Sequence, residues 1–279
     1  MKINRRLFVA LSSLSSGVLF STPLWAQTAS TTLDQIKLNK KLRIGVASAQ
    51  PWFYQDPETE QWTGVGVSIG RQLASDLGVE LVPVETTWAN AIAALQADQI
   101  DVMFVLDPTP ERRKAIDFPK SPLFYYAVGA LTNTNVDIKT WSDLDKPGMR
   151  VGVTLGTSVD DMITKTLKVA DISRFSSNDE AVAAFAARRV DVVAQFHPAL
   201  IVQYSRLKLG KVILPQPVVP VATSAGVRIE SNPTFRDWLS VKFAEYYKEG
   251  KPEAFFADYL RSKGIDPATV PGLQKEAWT

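Results

Sequence analysis

One block of sequence occurs twice in the same order, and this repeat constrains the fold more than any other feature. The first copy runs from 91–95 (Ala-Ile-Ala-Ala-Leu) into 100–102 (Ile-Asp-Val), and the second from 181–185 (Ala-Val-Ala-Ala-Phe) into 190–192 (Val-Asp-Val). Alanine-rich helices before such strands are also common in α/β proteins without a repeat. Two matching blocks in one order nevertheless favour two similar lobes.

Each copy lies within a longer alternation of apolar strands and amphipathic helices. The first run has predicted strands at 42–46, 79–84 and 100–105, with helices at 64–77 and 88–97 between them. The second run begins with a strand at 149–153, a helix from Thr157 and a strand at 172–175, and then a helix and another strand. This β-α-β-α-β order predicts an α/β fold.

Two long extended segments connect the runs. Residues 122–131 lead from the first run to the second, and the proline-interrupted segment 212–227 leads out of it. Amphipathic helices predicted at 234–249 and 252–261 then return to the first lobe. We therefore expect lobe 1 to comprise 33–128 and 222–279, lobe 2 to comprise 129–221, and a two-stranded hinge to join them.

The N-terminus has the pattern of a cleavable signal peptide over residues 1–26. Lys2, Arg5 and Arg6 precede an apolar stretch at 7–20, and Ala26 offers a cleavage point. A membrane anchor is the alternative, but the apolar stretch is short and rich in serine. The Arg-Arg-Leu-Phe string is similar to a twin-arginine signal, so the export route stays open.

Composition excludes several classes of partner and cofactor. Without residues 1–26 the chain has 28 basic and 29 acidic residues, a formal net charge of −1, and no basic run interleaved with aromatics. We therefore expect no nucleic-acid or anionic-lipid partner. With no cysteine and a single histidine, the sequence also predicts neither a metal site nor a cofactor.

Candidate ligand-binding residues follow the predicted strands, because the carboxyl ends of strands in α/β sheets are where ligands bind. Thr157 and Ser158 open a helix after Gly156, an arrangement that fits either a carboxylate cradle or an ordinary N-cap. Arg112 follows a helix-start pattern, and its guanidinium could clamp a carboxylate; an ordinary surface arginine is the alternative. The segment 195–198, which follows the last strand of the second run, is a further candidate by the same rule.

Three further residues qualify by position. Trp52 and Trp88 lie where a flat or apolar part of a ligand could stack, although tryptophans more often fill cores. Asp107 could hold a ligand ammonium or satisfy the amides of its turn.

The sequence resembles the family 3 periplasmic solute-binding proteins, the polar amino acid receptors of ABC importers. Blocks of the family stand here in its order, with Thr109-Pro110-Glu111-Arg112 followed by Asp117-Phe118 the most specific part. The resemblance implies the two-lobed type II periplasmic binding protein fold, a periplasmic location and an inner-membrane ABC permease as partner. It also implies that Arg112 holds the carboxylate of an amino acid or related ligand with help from Thr157 and Ser158, while Trp88 stacks on it. Closure of two lobes needs only a monomer.

The sequence departs from the family at residues that would read the ligand. Family members usually carry an acid for the α-ammonium just after the last strand of the second run, where this chain has Phe196. The threonine common at the position of Asp107 is also absent. Either Asp107 has taken over the ammonium, or the ligand has no α-amino group, and the apolar Phe196, Trp52 and Trp88 favour the second.

Two enzyme alternatives compete with a binding function. Residues 66–70 match the Gly-x-Ser-x-Gly string of serine hydrolases, but the string lies inside a helical pattern rather than at a strand-to-helix elbow. A cyclohexadienyl dehydratase-like enzyme resembles the same fold and would need Asp107 or His197 as acid or base. We expect a binding protein and not an enzyme.

Overall fold

The computed structural model describes residues 30–278, so the predicted signal peptide lies outside the described residues. The first run forms helix α1 (Thr32–Asn39), strand β1 (Lys41–Val46), hairpin strands β2 (Tyr54–Gln55) and β3 (Trp62–Thr63), helix α2 (Val65–Leu77), strand β4 (Glu80–Glu85), helix α3 (Ala91–Gln96) and strand β5 (Met103–Leu106). A 3-10 turn at Arg112–Lys114 and strand β6 (Phe124–Tyr126) follow.

The second run forms β7 (Val128–Thr132), a 3-10 turn at Trp141–Leu144, β8 (Arg150–Thr154), α4 (Ser158–Thr166), β9 (Asp171–Phe175), α5 (Asn178–Ala186), β10 (Val192–Phe196), α6 (His197–Leu207) and β11 (Lys211–Ile213). The chain ends with β12 (Val221–Gly226), α7 (Thr234–Lys248), α8 (Lys251–Ser262) and two 3-10 turns at Pro267–Thr269 and Lys275–Trp278. Within residues 30–278, no helix combines the length and apolar character needed to cross a bilayer.

The two runs build sheets of the same strand order. The second sheet is ordered β9-β8-β10-β7-β11, with β8 parallel to both β9 and β10. In the first run β4 pairs with β1 in parallel, Ile44 of β1 bridges Val102 just before β5, and β12 lies between β5 and β6. The first sheet is therefore ordered β4-β1-β5-β12-β6. In both sheets the second parallel strand of the run lies at one edge, the first and third parallel strands follow it, and the antiparallel strands complete the sheet.

The repeated aspartate makes the same contacts in both runs. Asp101 accepts hydrogen bonds from the backbone N–H of Arg43 (2.8 Å) and from its guanidinium Nη2 (2.6 Å), and Asp191 accepts them from Arg150 at 3.2 and 2.7 Å. In return each aspartate donates its own N–H to the carbonyl of the same arginine, at 2.9 and 2.8 Å. The Arg–Asp pair thus ties the first strand of each run to the start of the third.

Two element starts differ by three residues from the sequence-based prediction. Helix α3 begins at Ala91 rather than at 88, because Trp88–Asn90 form a turn in which the N–H of Asn90 bonds to the carbonyl and hydroxyl of Thr87. Strand β5 begins at Met103 rather than at 100. The side chain of Asp101 is hydrogen bonded to Arg43, and Val102 pairs with β1 only through a single bridge to Ile44.

The chain crosses between the sheets twice, and the crossings lie side by side. Strand β6 pairs antiparallel with β12, so that Tyr126 at the end of β6 lies opposite Val221 at the start of β12. Strand β7 begins immediately after this crossing, at Val128. The lobe boundaries at 128/129 and 221/222 stay a prediction, close to these crossings. Helices α7 and α8 pack on α1 and α2, so they cover the first sheet's side of the molecule.

The repeated Arg–Asp pair generates a prediction about stability. The Asp101 side chain is 3% exposed and that of Asp191 is 25% exposed. We expect Asp101→Ala to lower the free energy of unfolding by about 2–4 kcal/mol, because it removes a buried carboxylate that accepts from the backbone N–H and the guanidinium of Arg43, and water cannot readily replace it at that depth. Asp191→Ala, the matched variant in the second run, should cost about 1–2 kcal/mol because water can replace the lost bonds. Urea denaturation measures both; equal losses would contradict the assignment.

Candidate functional site

All seven residues predicted to contact a ligand line one cavity between the two sheets. They are Trp52, Trp88, Asp107, Arg112, Thr157, Ser158 and Phe196. Four residues that the sequence analysis did not select complete the wall: Val105, Tyr126, Asn178 and Gln195. The structure brings the predicted set together, while its role in binding stays a prediction.

These residues lie together because the parallel strands of both sheets end at the cavity. Asp107 directly follows β5, Thr157 is the N-cap that begins α4 after β8, and Phe196 is the last residue of β10. The Thr157 hydroxyl accepts a hydrogen bond from the N–H of Asp160 at 3.1 Å. Thr157 is therefore an N-cap, and this role is compatible with a carboxylate cradle formed by other N–H groups at the same helix start.

Arg112 joins the two halves of the cavity wall. Its guanidinium donates to the carbonyl of Asp107 at 3.0 Å and, across the cleft, to the carbonyl of Gly156 at 2.9 Å. The residue is 8% exposed, so the surface-arginine alternative is wrong. Two of the five N–H donors of an arginine meet these carbonyls, which leaves three that a carboxylate could engage.

Asp107 is the acidic group of the cavity, and it is fully buried. Its carboxyl oxygens accept hydrogen bonds from the hydroxyl of Ser158, in the second run, and from the phenol of Tyr126, at the crossing. Burial raises the pKa of Asp107 above its ordinary value, and the hydroxyls and the guanidinium of Arg112 offset only part of that effect. The proton is therefore held more tightly here than on an exposed aspartate.

Aromatic rings form the apolar side of the cavity. The ring of Tyr126 stacks on Phe196 with centroids 3.6 Å apart and lies 6.0 Å from Trp52, which stacks on Phe124 at 5.2 Å. The contact between Tyr126 and Phe196 joins the hinge to the end of β10. The volume of the cavity is about 20 Å³, the space of roughly one water molecule, so a larger ligand must enter through an opening of the cleft.

Of the cavity residues that were not selected from the sequence, some had a recognisable sequence signal and others had none. Gln195 lies in a segment that was selected for its position after a strand, and Asn178 begins α5 just after β9, where the same rule applies. The position of Tyr126 in an extended segment gave no indication that its hydroxyl reaches Asp107.

Of the three residues proposed for the enzyme alternatives, Asp107 lines the cavity, whereas His197 and Ser68 lie outside it. His197 is buried beside the crossing, where Nδ1 accepts the N–H of Ala127 at 3.0 Å and Nε2 lies 3.1 Å from the carbonyl of Pro271. Burial lowers the pKa of His197 to about 4, and the residue does not line the cavity. Ser68 lies inside α2, as the sequence predicted, and lines a different surface depression. Among residues 30–278, no group of three acidic or histidine side chains could hold a metal.

Comparison with known proteins gives one family. Residues 42–262 match the family described as bacterial extracellular solute-binding proteins, family 3. The L-cystine-binding protein TcyJ of Escherichia coli K12 is 28% identical over 164 residues, which are 58% of this chain and 60% of TcyJ. The L-arginine-binding protein of Pseudomonas aeruginosa is 28% identical over 170 residues, 58% of this chain and 63% of that protein. These alignments thus span less than two thirds of the relatives' own length.

A solved structure resembles most of the described chain. The ancestral amino acid-binding protein AncCDT-1, described as a precursor of cyclohexadienyl dehydratase, superposes with a TM-score of 0.74 and 28% identity over 82% of this chain and 99% of its own. The two-lobed type II fold that the sequence predicted is confirmed.

The buried carboxyl generates a pH prediction. Because the raised pKa lets the folded state keep the Asp107 proton where the unfolded chain has lost it, the carboxyl destabilises the fold as the pH rises above about 4. Asp107→Asn removes this titration and can still hydrogen bond both hydroxyls. We expect the stability of Asp107→Asn relative to the wild type to increase from pH 4 to pH 8 in chemical denaturation. Asp161→Asn, at an exposed position of α4, is the control, and a flat difference for Asp107→Asn would contradict the prediction.

Proposed function

The chain belongs to the bacterial extracellular solute-binding proteins of family 3, and from that membership we propose that it is the substrate-binding component of an ABC importer. It holds an amino acid or a related small carboxylate between its lobes and presents the closed form to an inner-membrane permease. It acts as a monomer in the periplasm after removal of residues 1–26.

The observation that carries the proposal is the position of Arg112. Its guanidinium contacts a carbonyl from each side of the cleft and retains N–H donors at the cavity. A carboxylate bound there interacts with Arg112 and with the start of α4, whose free N–H groups favour an anion. Since such a ligand contacts both lobes, it stabilises the closed arrangement relative to an open one.

The names of relatives support the same class of ligand. TcyJ is named for L-cystine and the Pseudomonas aeruginosa protein for L-arginine, and both ligands carry carboxylates. A dehydratase-like enzyme is the alternative, to which the description of AncCDT-1 points. That alternative needs an acid or base in the cleft. The imidazole of His197 bonds to backbone groups away from the cavity, and the remaining candidate, Asp107, has both oxygens engaged by Ser158 and Tyr126, which favours binding.

A thermal-shift screen tests the proposed function. A ligand that binds only the folded state raises the melting temperature by mass action, so at least one compound among amino acids, oxo acids, hydroxy acids and aromatic carboxylates should raise it. The compound is then recovered and analysed by mass spectrometry. No shift with any compound contradicts the proposal, and conversion of the compound supports the enzyme alternative instead.

Substitution of the arginine tests how the carboxylate is held. Arg112→Lys keeps the charge and loses the planar fork, so we expect the affinity for the compound found in the screen to fall by about 10- to 100-fold. The neighbouring Arg113 lies outside the cavity wall with its guanidinium over the ring of Phe118, and Arg113→Lys should bind as the wild type does. Calorimetric titration measures both, and equal affinities would contradict the role of Arg112.

A glycine at the lobe contact tests whether binding requires closure. Gly156 has φ +77°, and a Cβ added there would lie 2.7 Å from the Cα of Ala89 across the cleft. Gly148 has the same φ, and an added Cβ would meet nothing within 4 Å. Both alanine variants should lose about 1 kcal/mol of stability from the left-handed backbone.

We expect only Gly156→Ala to weaken ligand binding, by about tenfold or more, because the added methyl blocks the approach of the lobes. Calorimetric titration of Gly156→Ala and Gly148→Ala with the same compound separates this effect from backbone strain. Unchanged affinity in Gly156→Ala would mean that the ligand binds without closure.

A further inference from the structure

The cavity offers little to a ligand ammonium. Among the residues that line it, Asp107 is the acid, and each of its oxygens already accepts a hydroxyl hydrogen, from Ser158 and from Tyr126. A carboxylate has further lone pairs, but an ammonium placed there must share a fully buried group with two donors. A charge without a full partner in such surroundings is strongly disfavoured.

The end of strand β10 is closed to an ammonium as well. Its last residue, Phe196, is buried, and its ring stacks on Tyr126. Tyr126 covers one face of the Phe196 ring, and the ring supplies no carboxylate oxygen, so the end of this strand gives an ammonium no anionic partner.

Two carboxamides add hydrogen-bond donors to the same cavity. Gln195 is 6% exposed, and its Oε1 accepts the N–H of Phe196 at 2.9 Å; Asn178 is 4% exposed, and its Oδ1 accepts the hydroxyl of Thr154 at 2.8 Å. The backbone N–H fixes which end of the Gln195 amide is the oxygen. Within residues 30–278 neither amide nitrogen has a hydrogen-bond partner, and both residues line the cavity.

The donors therefore outnumber the acceptors. Arg112 retains N–H groups, and Gln195 and Asn178 each present an NH₂ group, whereas the acceptor oxygens of Asp107 are engaged. A ligand oxygen satisfies such donors, but a ligand ammonium places donor against donor. The cavity thus matches a molecule in which each polar group can accept a hydrogen bond, as carboxylate, carbonyl and hydroxyl oxygens do and an ammonium does not.

We propose that the ligand is a carboxylate without an α-ammonium group, a 2-oxo or 2-hydroxy acid whose oxygens accept hydrogen bonds from Arg112, Gln195 and Asn178. This inference rests on the proposed function, because it assumes that the cleft binds a small carboxylate. It assigns to Gln195 the discrimination between an oxygen and an amine at the α-carbon.

Matched ligand series test the proposal on the full mature protein. Each series consists of an L-amino acid and the 2-oxo and 2-hydroxy acids with the same side chain, and the side chains are methyl, benzyl, carboxyethyl and guanidinopropyl. Calorimetric titration should give at least about tenfold tighter binding of the oxo or hydroxy acid than of the amino acid in the series that binds best.

The outcomes separate the two proposals. Tighter binding of the amino acid overturns the inference about the ligand and leaves the proposed function standing. Absence of binding of every oxo and hydroxy acid overturns the inference about the ligand, whereas the proposed function is overturned by the absence of any shift in the thermal screen.

A variant of the selecting residue gives an independent test. In Gln195→Glu one carboxylate oxygen can still accept the N–H of Phe196 while the NH₂ group becomes a second anionic oxygen. We expect the preference for the oxo or hydroxy acid over the amino acid to fall by about tenfold or more, because the donor is replaced by an acceptor for an ammonium.

Gln99→Glu, at an exposed position outside the cavity, introduces the same charge and should leave the preference unchanged. An unchanged preference in Gln195→Glu, with a melting curve like that of the control, overturns the assignment of Gln195.

Discussion

The Arg–Asp pair that recurs in each run fixes the geometry on which the rest of the molecule depends. Arg43 with Asp101, and Arg150 with Asp191, join the first strand to the start of the third through backbone and side-chain hydrogen bonds. Because the strands of each pair begin together, their carboxyl ends also emerge together. The loops that follow them then meet at the cavity, so a salt bridge at one end of each sheet determines what can be assembled at the other.

Two such sheets form a cavity only when they approach each other, and both polar and apolar contacts hold them together. Arg112 donates across the cleft to Gly156, and Ser158 donates to Asp107. Buried hydrogen bonds of this kind define one relative position of the lobes, since a partial opening leaves polar groups without partners. The stack of Tyr126 on Phe196 adds apolar area beside the hinge. Closure is therefore specific in geometry, and the glycine at position 156 permits it.

Periodicity and repetition predicted the α/β fold, the two runs and most element bounds, because these depend on local patterns. The rule that loops after parallel strands converge selected Asp107, Thr157 and the segment 195–198, and the family resemblance singled out Phe196 within that segment. Asp107, Thr157 and Phe196 all line the cavity. Side-chain partners over long sequence separation had no local signal. The bond from Tyr126 to Asp107 and the burial of Arg112 are of this kind. The start of α3 was placed too early because the capping of a turn by Thr87 competes with helix propensity.

Ligand affinity in this protein is a difference between two sets of hydrogen bonds. In the arrangement described, Asp107 accepts from Ser158 and Tyr126, and two of the N–H donors of Arg112 meet carbonyls, so part of the cleft already has internal partners. A ligand that displaced them would gain little net free energy, because one bond replaces another. A ligand that adds bonds to the amide groups of Asn178 and Gln195 while keeping those partners gains more. On the proposed function, the donors that remain free in the cleft, those of Arg112 included, therefore distinguish one carboxylate from another.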